Sequence, residues 1–281
     1  MSNSTVDPKV QSIRTKLANL GRSLGVDYPR VYTLFLLERA AYRLLQDSVL
    51  AKSLVFKGGF VSVRVYRSPR YTTDLDALVR GLTKEEAVAR VSTAMATEAG
   101  DGCWFQLEES LDLTTQGEYG GIRLAHRGGL GNRPLPLTRA QLVNIDLGIG
   151  DPVTPSPVSL QTDLTLGEGS LSWQVYPAAT ILAEKIHALI TIGARNSRSK
   201  DIFDIALLLP QAERDTVAAA MVATFNFRGD PIPASVAATL STLERTQLRL
   251  GWSAAVKSAK EKRSFDEVFD EIIAMLQHWK L

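Results

Sequence analysis

Two aspartates, Asp74 and Asp76, give this sequence its clearest chemical signal. They lie in the segment DLDALV, whose apolar residues favour a β-strand. Because side chains at positions i and i+2 of a strand point to the same side, the two carboxylates would face one spot. Like charges held this close repel each other unless a cation neutralises them, and Mg²⁺ prefers oxygen ligands. The pair therefore predicts a metal site.

A glycine pair upstream predicts a turn that binds phosphate. Gly58 and Gly59 follow an apolar strand predicted at 54–56 and precede a segment that can start a helix. Glycine lets backbone N–H groups approach an anion closely, and a helix N-terminus favours phosphate. Taken singly, a glycine pair is usually a plain turn, and two alternate aspartates are usually a solvated strand end. Together they indicate metal-assisted handling of a nucleoside triphosphate.

A further carboxylate, Asp146, ends the alternating segment QLVNID at 141–146. Leu142, Asn144 and Asp146 would share one face of this strand, and a carboxylate on a strand that looks buried needs a partner. The alternative is that Asp146 only begins the turn into Gly148. Four other acidic residues are weaker candidates: Glu108, Glu109, Asp112 and Asp151.

The second informative region contains Lys185, Asp201 and Asp204. Lys185 borders an apolar stripe on a helix predicted at 178–191. Its ammonium either reaches water along that stripe or meets a triphosphate. Asp201 and Asp204 would lie one turn apart on the next helix, where they act either as ordinary helix-start and salt-bridge carboxylates or as parts of a site.

These motifs together resemble the nucleotidyltransferases of the DNA polymerase β type and, within them, the AbiEii-like toxins, over roughly residues 50–210. The matching segments are Lys57-Gly58-Gly59, Arg64, the stretch from Arg70 to Asp76, AEKIHAL at 183–189 and KDIFDI at 200–205. One position departs from the pattern. Phe60 stands where the superfamily typically has Ser or Thr, so that a hydroxyl contact to phosphate is missing or comes from Ser62.

The resemblance implies a role for each matching residue. Asp74, Asp76 and Asp146 would bind two Mg²⁺ ions, and Asp146 would also accept the proton of the attacking hydroxyl. Asp204 would orient Lys185 or a basic residue of the neighbouring loop, and the family needs both Lys185 and Asp204 for activity. The phosphates of the nucleoside triphosphate would be held by Lys57, Gly58, Gly59, Ser62, Arg64 and Lys185.

The resemblance also implies a biological role. AbiEii-like proteins are growth-inhibiting toxins encoded beside a cognate antitoxin, and several add nucleotides to the 3′ end of tRNA, which inhibits translation. An RNA acceptor would suit a cleft rimmed by cationic residues: Arg64, Arg67, Arg70, Arg123, Arg127, Arg195, Arg198 and Lys200. Two alternatives stay open, a small-molecule (antibiotic-modifying) nucleotidyltransferase and, because of Phe60, a non-catalytic nucleotide-binding module.

The composition is that of an ordinary globular protein. The chain has 281 residues, 45% of them hydrophobic and 22% charged, and a net charge of +2, which neither requires nor excludes a nucleic-acid partner. The single cysteine, Cys103, excludes a disulfide within the chain and a cysteine-type zinc site. No segment resembles a signal peptide or a membrane span, so the sequence predicts a cytoplasmic monomer with no membrane partner.

The elements that must position these residues predict an α+β fold. We expect a small mixed sheet forming the nucleotidyltransferase core, flanked by helices, in residues 1–170, and a mostly helical lobe in 171–281 that completes the active-site cleft. Helices are predicted at 10–24, 30–47, 83–99, 178–191, 215–225, 234–248, 252–260 and 264–279, strands at 104–111, 121–126 and 141–147, and loops at 127–134 and 151–169.

Overall fold

The computed structural model describes residues 7–113, 120–167, 169–193, 198–257, 259 and 262–281. The chain divides into two compact units. The first falls within Met1–Phe60, Thr72–Gly150 and Ser159–Val175. The second falls within Val61–Tyr71, Asp151–Val158 and Tyr176–Leu281.

The first unit contains a seven-stranded sheet. Its strands are β1 (Leu54–Lys57), β2 (Asp74–Val79), β3 (Cys103–Asp112), β4 (Gly121–Leu130), β5 (Gln141–Ile149), β6 (Val158–Asp163) and β7 (Ser170–Val175). They lie in the order β3-β4-β5-β2-β1-β7-β6. The pairs β2–β5 and β1–β7 are parallel, whereas β1–β2, β3–β4 and β4–β5 are antiparallel. The predicted mixed sheet with helices is confirmed.

Helices of the first unit cover one face of this sheet, and the opposite face is called the polar face below. They are α1 (Pro8–Leu24), α2 (Tyr28–Gln46), α3 (Leu50–Ser53) and α5 (Lys84–Ala96), and α4 (Gly58–Arg64) leads from the first unit into the second. The residues of β5 that alternate inward, such as Val143 and Ile145, are fully buried. Asn144 and Asp146 point to the other face and are half-buried. The polar residues of the central strands therefore gather on the polar face.

The second unit is mostly helical, and β7, which lies at the start of the lobe predicted at 171–281, belongs to the first unit. Its helices are α6 (Ala178–Ile192), α7 (Ser199–Leu208), α8 (Arg214–Arg228), α9 (Val236–Ser241), α10 (Arg245–Leu248), α11 (Trp252–Val256) and α12 (Phe265–His278). Helix α6 packs against α7 and α8, and α12 packs against α7 and α9. A capping box formed by Ser264 and Glu267 starts α12, whose apolar stripe is buried.

Four predictions about the elements are wrong. Strand β4 continues to Leu130 through the predicted loop at 127–134, and β6 lies inside the predicted loop at 151–169. The two glycines at 128 and 129 predicted a turn, but in the structure they lie in β4 beside aromatic rings. A Cβ at Gly128 would lie 2.7 Å from Phe105, and a Cβ at Gly129 would lie 2.9 Å from Trp104. The single helix expected at 234–248 is two helices, α9 and α10, and the helix expected at 252–260 ends at Val256.

Within the described ranges, no helix combines the length and the hydrophobicity that a membrane crossing requires.

Candidate active site

Three aspartates point to the polar face of the sheet. Strands β2 and β5 pair in parallel, with Asp76 opposite Asp146 and Asp74 opposite Asn144. Residues opposite each other on neighbouring strands point to the same face. The fold therefore brings Asp146 beside the aspartate pair, although 70 residues separate Asn144 from Asp74 in the chain.

A row of four charged residues crosses the sheet at this level. Lys57 of β1 lies opposite Asp76, Asp76 lies opposite Asp146, and Asp146 lies opposite Arg123 of β4. The pair of carboxylates in the middle of the row thus lies between two cationic residues, Lys57 next to Asp76 and Arg123 next to Asp146. These two cations offset much of the repulsion between the acids.

Arg123 holds Asp146 in a bidentate ion pair. Its Nε donates to Oδ1 of Asp146 over 2.7 Å, and its Nη2 donates to Oδ2 over 2.6 Å. The hydrogen bonds to Asp146 raise the pKa of the Arg123 guanidinium, and the charges of Asp74 and Asp76 raise it further, against the opposing effect of burial. No local sequence pattern joins these two residues, because the pairing depends on the register between β4 and β5.

Asp74 is fixed by neighbouring side chains. The amide Nδ2 of Asn144 donates to Oδ1 of Asp74 over 3.0 Å, and the hydroxyl of Thr73 donates to the same oxygen over 3.2 Å. Asn144 was not predicted as a site residue. Its place two residues before Asp146 on an alternating strand was the available signal.

Gly58 allows the backbone to pass directly against Asp76. It has a φ of +68°, in the left-handed region that favours glycine. A Cβ at this position would lie 2.6 Å from Cγ of Asp76 and closer still to its Oδ2. Any side chain here would have to displace the carboxylate. The predicted link between the glycine pair and the aspartate pair therefore has a direct geometric basis.

Phe60 belongs to the core of the first unit. It is fully buried, and its ring centroid lies 5.8 Å from that of Trp173 in an edge arrangement. This packing explains why an aromatic residue can stand after the glycines. Ser62, the other predicted source of a hydroxyl, is also fully buried. Arg64 is half-buried at the end of α4.

Asp74 and Asp76 have the donor chemistry that a divalent cation needs. Both are half-buried, and carboxylate oxygens are preferred ligands of Mg²⁺. Asp146 differs, because both of its oxygens accept hydrogen bonds from Arg123. In the described part of the chain, no three His, Cys, Asp or Glu side chains lie close enough together to hold a metal. A metal-binding role for Asp146 stays a prediction.

In the second unit, Lys185 lies in a buried cluster of charges. Its Nζ lies 2.6 Å from Oδ1 of Asp201 and 2.9 Å from Oδ2 of Asp204, and the side chain of Asp204 is completely buried. Arg70 and Arg198 complete the cluster: Arg70 Nε lies 2.7 Å from Oδ1 of Asp204, and Arg198 Nη1 lies 3.0 Å from Oδ2 of Asp201. The cluster joins the helices α6 and α7.

The electrostatics of this cluster favour its ionised form. Burial lowers the pKa of Lys185, but the charges of Asp201 and Asp204 outweigh it, so that the pKa is raised overall. Burial raises the pKa of Asp201, but Lys185 and Arg198 outweigh it and leave it lowered. The contact of Lys185 with Asp204 agrees with the expectation that Asp204 orients Lys185. Whether Lys185 also meets a triphosphate stays a prediction.

Several of the arginines predicted to rim a cleft for RNA are ion-paired with carboxylates. Arg70 pairs with Asp204, Arg123 with Asp146, Arg127 with Glu108, and Arg198 with Asp201. Arg195 lies outside the described residues. A count of arginines near the motifs therefore does not by itself support an RNA acceptor.

Comparisons with known proteins agree with this architecture. Among solved structures, the chain is similar to MenT4, a nucleotidyltransferase toxin from Mycobacterium tuberculosis H37Rv, with 19% identity, a TM-score of 0.53, and coverage of 95% of this chain and 98% of that one. A second similar structure is JHP933 from Helicobacter pylori, with 14% identity, a TM-score of 0.43, and coverage of 87% and 89%. No curated protein matches the chain significantly. Residues 39–271 match the family described as nucleotidyl transferase AbiEii toxin, type IV TA system. The chain therefore belongs to the AbiEii family, the nucleotidyltransferase toxins of type IV toxin–antitoxin systems.

Proposed function

We propose that this nucleotidyltransferase uses Mg²⁺ to transfer nucleotides from a nucleoside triphosphate to an RNA, the 3′ end of tRNA, and thereby inhibits translation and growth. The observation that carries the proposal is the aspartate pair on the polar face of the sheet, with Asp76 lying against the left-handed Gly58. Because tRNA and nucleoside triphosphates meet in the cytoplasm, the proposed reaction takes place there. The enzyme would act as a monomer, and a cognate antitoxin would neutralise it.

Asp74 and Asp76 would hold the cation. Mg²⁺, when bound, would neutralise charge that develops on the triphosphate during transfer. Asn144 would keep the Asp74 carboxylate oriented through the 3.0 Å hydrogen bond. Asp146 would complete the metal site and accept the proton of the attacking hydroxyl. The ion pair with Arg123 opposes both roles, because it already satisfies part of the negative charge of Asp146.

The phosphates would be bound around the glycine turn. Gly58 and Gly59 would present backbone N–H groups, and Lys57 would add a positive charge next to Asp76, its neighbour in the sheet. Arg64 would contribute a guanidinium. The proposal is weakest for Ser62, because its side chain has no exposed surface.

Lys185 and Asp204, which lie in the second unit, would be needed for activity. The ion pair of 2.9 Å between them supports a role for Asp204 in fixing the ammonium of Lys185. Asp201 shares this ammonium and would act in the same way. We propose that Lys185 binds phosphate oxygens of the nucleotide.

A transfer assay tests the proposal. Purified protein is incubated with each of the four labelled nucleoside triphosphates, Mg²⁺ and total tRNA. We expect label on RNA with one or more nucleotides, and none with Asp76→Asn, which keeps the size of the side chain but removes its charge. Asp215→Asn, a change at a side chain that is 88% exposed, serves as the matched control and should leave transfer unchanged. A parallel reaction replaces tRNA with an aminoglycoside. Label on the aminoglycoside and not on RNA would favour the small-molecule alternative, and no transfer to either acceptor would contradict the proposal.

A further inference from the structure

A recess of about 460 Å³ lies at one end of the sheet of the first unit, where β4 ends and β5 begins. Its lining includes Arg14, Tyr32, Trp104 and Arg139, and all of its lining residues lie in the described part of the chain. Two of them are arginines and none is an aspartate or a glutamate. We refer to it below as the arginine–aromatic recess.

Aromatic rings in and beside the recess offer flat surfaces. Trp104 packs against Gly129, and the guanidinium of Arg133 lies over its ring, 5.1 Å from the centroid. Tyr32 stacks on the half-exposed Tyr28 with their centroids 5.7 Å apart. Nucleobases stack on aromatic rings and on arginine planes, and this kind of contact tolerates any base.

The arginines provide the complementary charge. Arg14 and Arg139 are exposed. Arg14 uses one of its N–H groups to donate to the carbonyl of Leu130 over 3.1 Å, and a guanidinium has five N–H donors. The side chain is thereby fixed by one hydrogen bond while further donors remain on the same group. Fixed cations beside flat rings suit the phosphates and bases of a single strand.

One wall of the recess, Trp104 with Gly129, lies on the same face of the sheet as the carboxylates, whereas Arg14 and Tyr32 come from the helices α1 and α2. Trp104 lies opposite Gly129, and Arg123 lies opposite Asp146. Gly129 and Arg123 are six residues apart on β4, so alternation puts them on the same face, about 20 Å apart along the strand. An RNA strand that stacks on Trp104 can therefore extend along the polar face toward Asp76 and Asp146.

We propose that the arginine–aromatic recess binds single-stranded RNA and holds the acceptor strand at a distance from the reacting end. The choice of RNA rests on the proposed function, whereas the binding itself needs neither a nucleotide substrate nor a metal. Phosphates lie on Arg14 and Arg139, and a base stacks on the pair formed by Trp104 and Arg133.

Binding is measured by fluorescence anisotropy with labelled single-stranded RNA of about 12 nucleotides, a length that a single-strand site covers. The measurement uses EDTA and no nucleoside triphosphate, so that it does not depend on transfer. We expect the double variant Arg14→Gln/Arg139→Gln to bind about tenfold more weakly or worse. The slope of log K against log salt should fall by about 0.7 for each lost phosphate contact.

The matched control is Arg22→Gln/Arg80→Gln, which removes two exposed arginines of the same unit that do not line the recess. It should bind RNA as wild type does. Equal affinity in both double variants and wild type, an equal loss in both variants, or no RNA binding by wild type would each overturn the proposal. If an acidic protein were the true occupant, RNA affinity would be unchanged in Arg14→Gln/Arg139→Gln.

A second pair of variants tests stacking. Trp104→Leu should weaken RNA binding about fivefold or more, whereas Trp104→Phe keeps a ring and should stay close to wild type. Thermal melts identify any loss of folding. If Trp104→Leu fails to fold, the RNA affinities of Arg14→Gln/Arg139→Gln and its control test the proposal. Loss of transfer with RNA binding intact would count against the proposed function and not against this inference.

Discussion

The guanidinium of Arg123 donates two hydrogen bonds, of 2.7 and 2.6 Å, to the carboxylate of Asp146, and this carboxylate lies next to Asp76 in the sheet. Both oxygens of Asp146 are thereby occupied by a cation of the protein itself. Charge that would otherwise favour a second metal ion is already neutralised. We therefore expect Arg123 to compete with metal for the carboxylate of Asp146.

Replacing Arg123 should strengthen metal binding. In Arg123→Gln, three carboxylates lie together with a single flanking cation, Lys57, so we expect Mn²⁺ to bind about tenfold more tightly without nucleotide, about 1.4 kcal/mol. Electron paramagnetic resonance of free Mn²⁺ measures this affinity. The control is Arg127→Gln, on the same face of β4 but paired with Glu108. Equal Mn²⁺ affinity in Arg123→Gln and wild type would show that Arg123 does not compete.

A methyl group at Gly58 should damage the aspartate site. In Gly58→Ala, the Cβ overlaps the carboxylate of Asp76, so we expect Mn²⁺ binding to weaken by about tenfold or more, or about 1.4 kcal/mol, and transfer to fall with it. Gly81→Ala separates this clash from backbone strain. Gly81 has a similar φ, +71°, and a Cβ added there would meet no atom within 4 Å, so the variant should lose only about 1–2 kcal/mol of stability. Equal metal binding in the two variants would argue against the clash.

Much of the fold could be predicted from local sequence patterns. The capping boxes Thr83–Glu86 and Ser264–Glu267 form where spacing predicted helix starts. Strand alternation predicted that Asp74 and Asp76 face one side, and the parallel pairing of β2 with β5 puts Asp146 beside them. Each of these features depends on residues close in the chain or on a match to a family motif.

Side-chain contacts between strands that are far apart in the chain could not be predicted from local patterns. Arg123 was expected at an RNA-binding rim, but the register of β4 against β5 puts it opposite Asp146. Phe60 suggested that a hydroxyl contact to phosphate is missing, whereas in the structure it packs against Trp173 of β7, a strand that was not predicted. Gly128 and Gly129 looked like a turn because their role depends on rings in a neighbouring strand. Such pairings are set by tertiary contacts, and no local pattern encodes them.

Removing the Lys185 ammonium should destabilise the second unit. Asp204 has no exposed surface, and breaking one partner of a buried ion pair costs about 3–5 kcal/mol. Because Arg70 and Arg198 remain, we expect Lys185→Met to lower the free energy of unfolding by about 3 kcal/mol, measured by urea denaturation. Lys185→Arg, which keeps the charge, should lose less.

Lys84→Met is the surface comparison for Lys185. Lys84 pairs with Asp112, whose side chain is 58% exposed, and an exposed pair contributes at most about 1 kcal/mol. If Lys185→Met is no more destabilising than Lys84→Met, the buried cluster does not hold α6 and α7 together. Any loss of transfer in Lys185→Met would then be chemical in origin.

Asp101 should make the stability of the first unit depend on pH. Arg43 donates to both of its oxygens, over 2.9 and 2.8 Å. Burial raises the pKa of Asp101, but the hydrogen bonds and charge of Arg43 outweigh it, so the pKa is lowered from its ordinary value of 3.8. A carboxyl whose pKa is lowered by folding stabilises the protein above that ordinary value, and this contribution is lost as the pH falls through the folded-state pKa.

At pH 7, Asp101→Asn should therefore lower the free energy of unfolding by about 2 kcal/mol, because Arg43 loses a charged partner. The gap to wild type should narrow below about pH 4, where Asp101 becomes protonated first in the unfolded chain and then, at lower pH, in the folded protein. Urea denaturation across this pH range measures the gap, with the exposed Asp215→Asn as the control. A difference that stays constant with pH would show that the charge of Asp101 contributes nothing, and that the variant acts through its shape alone.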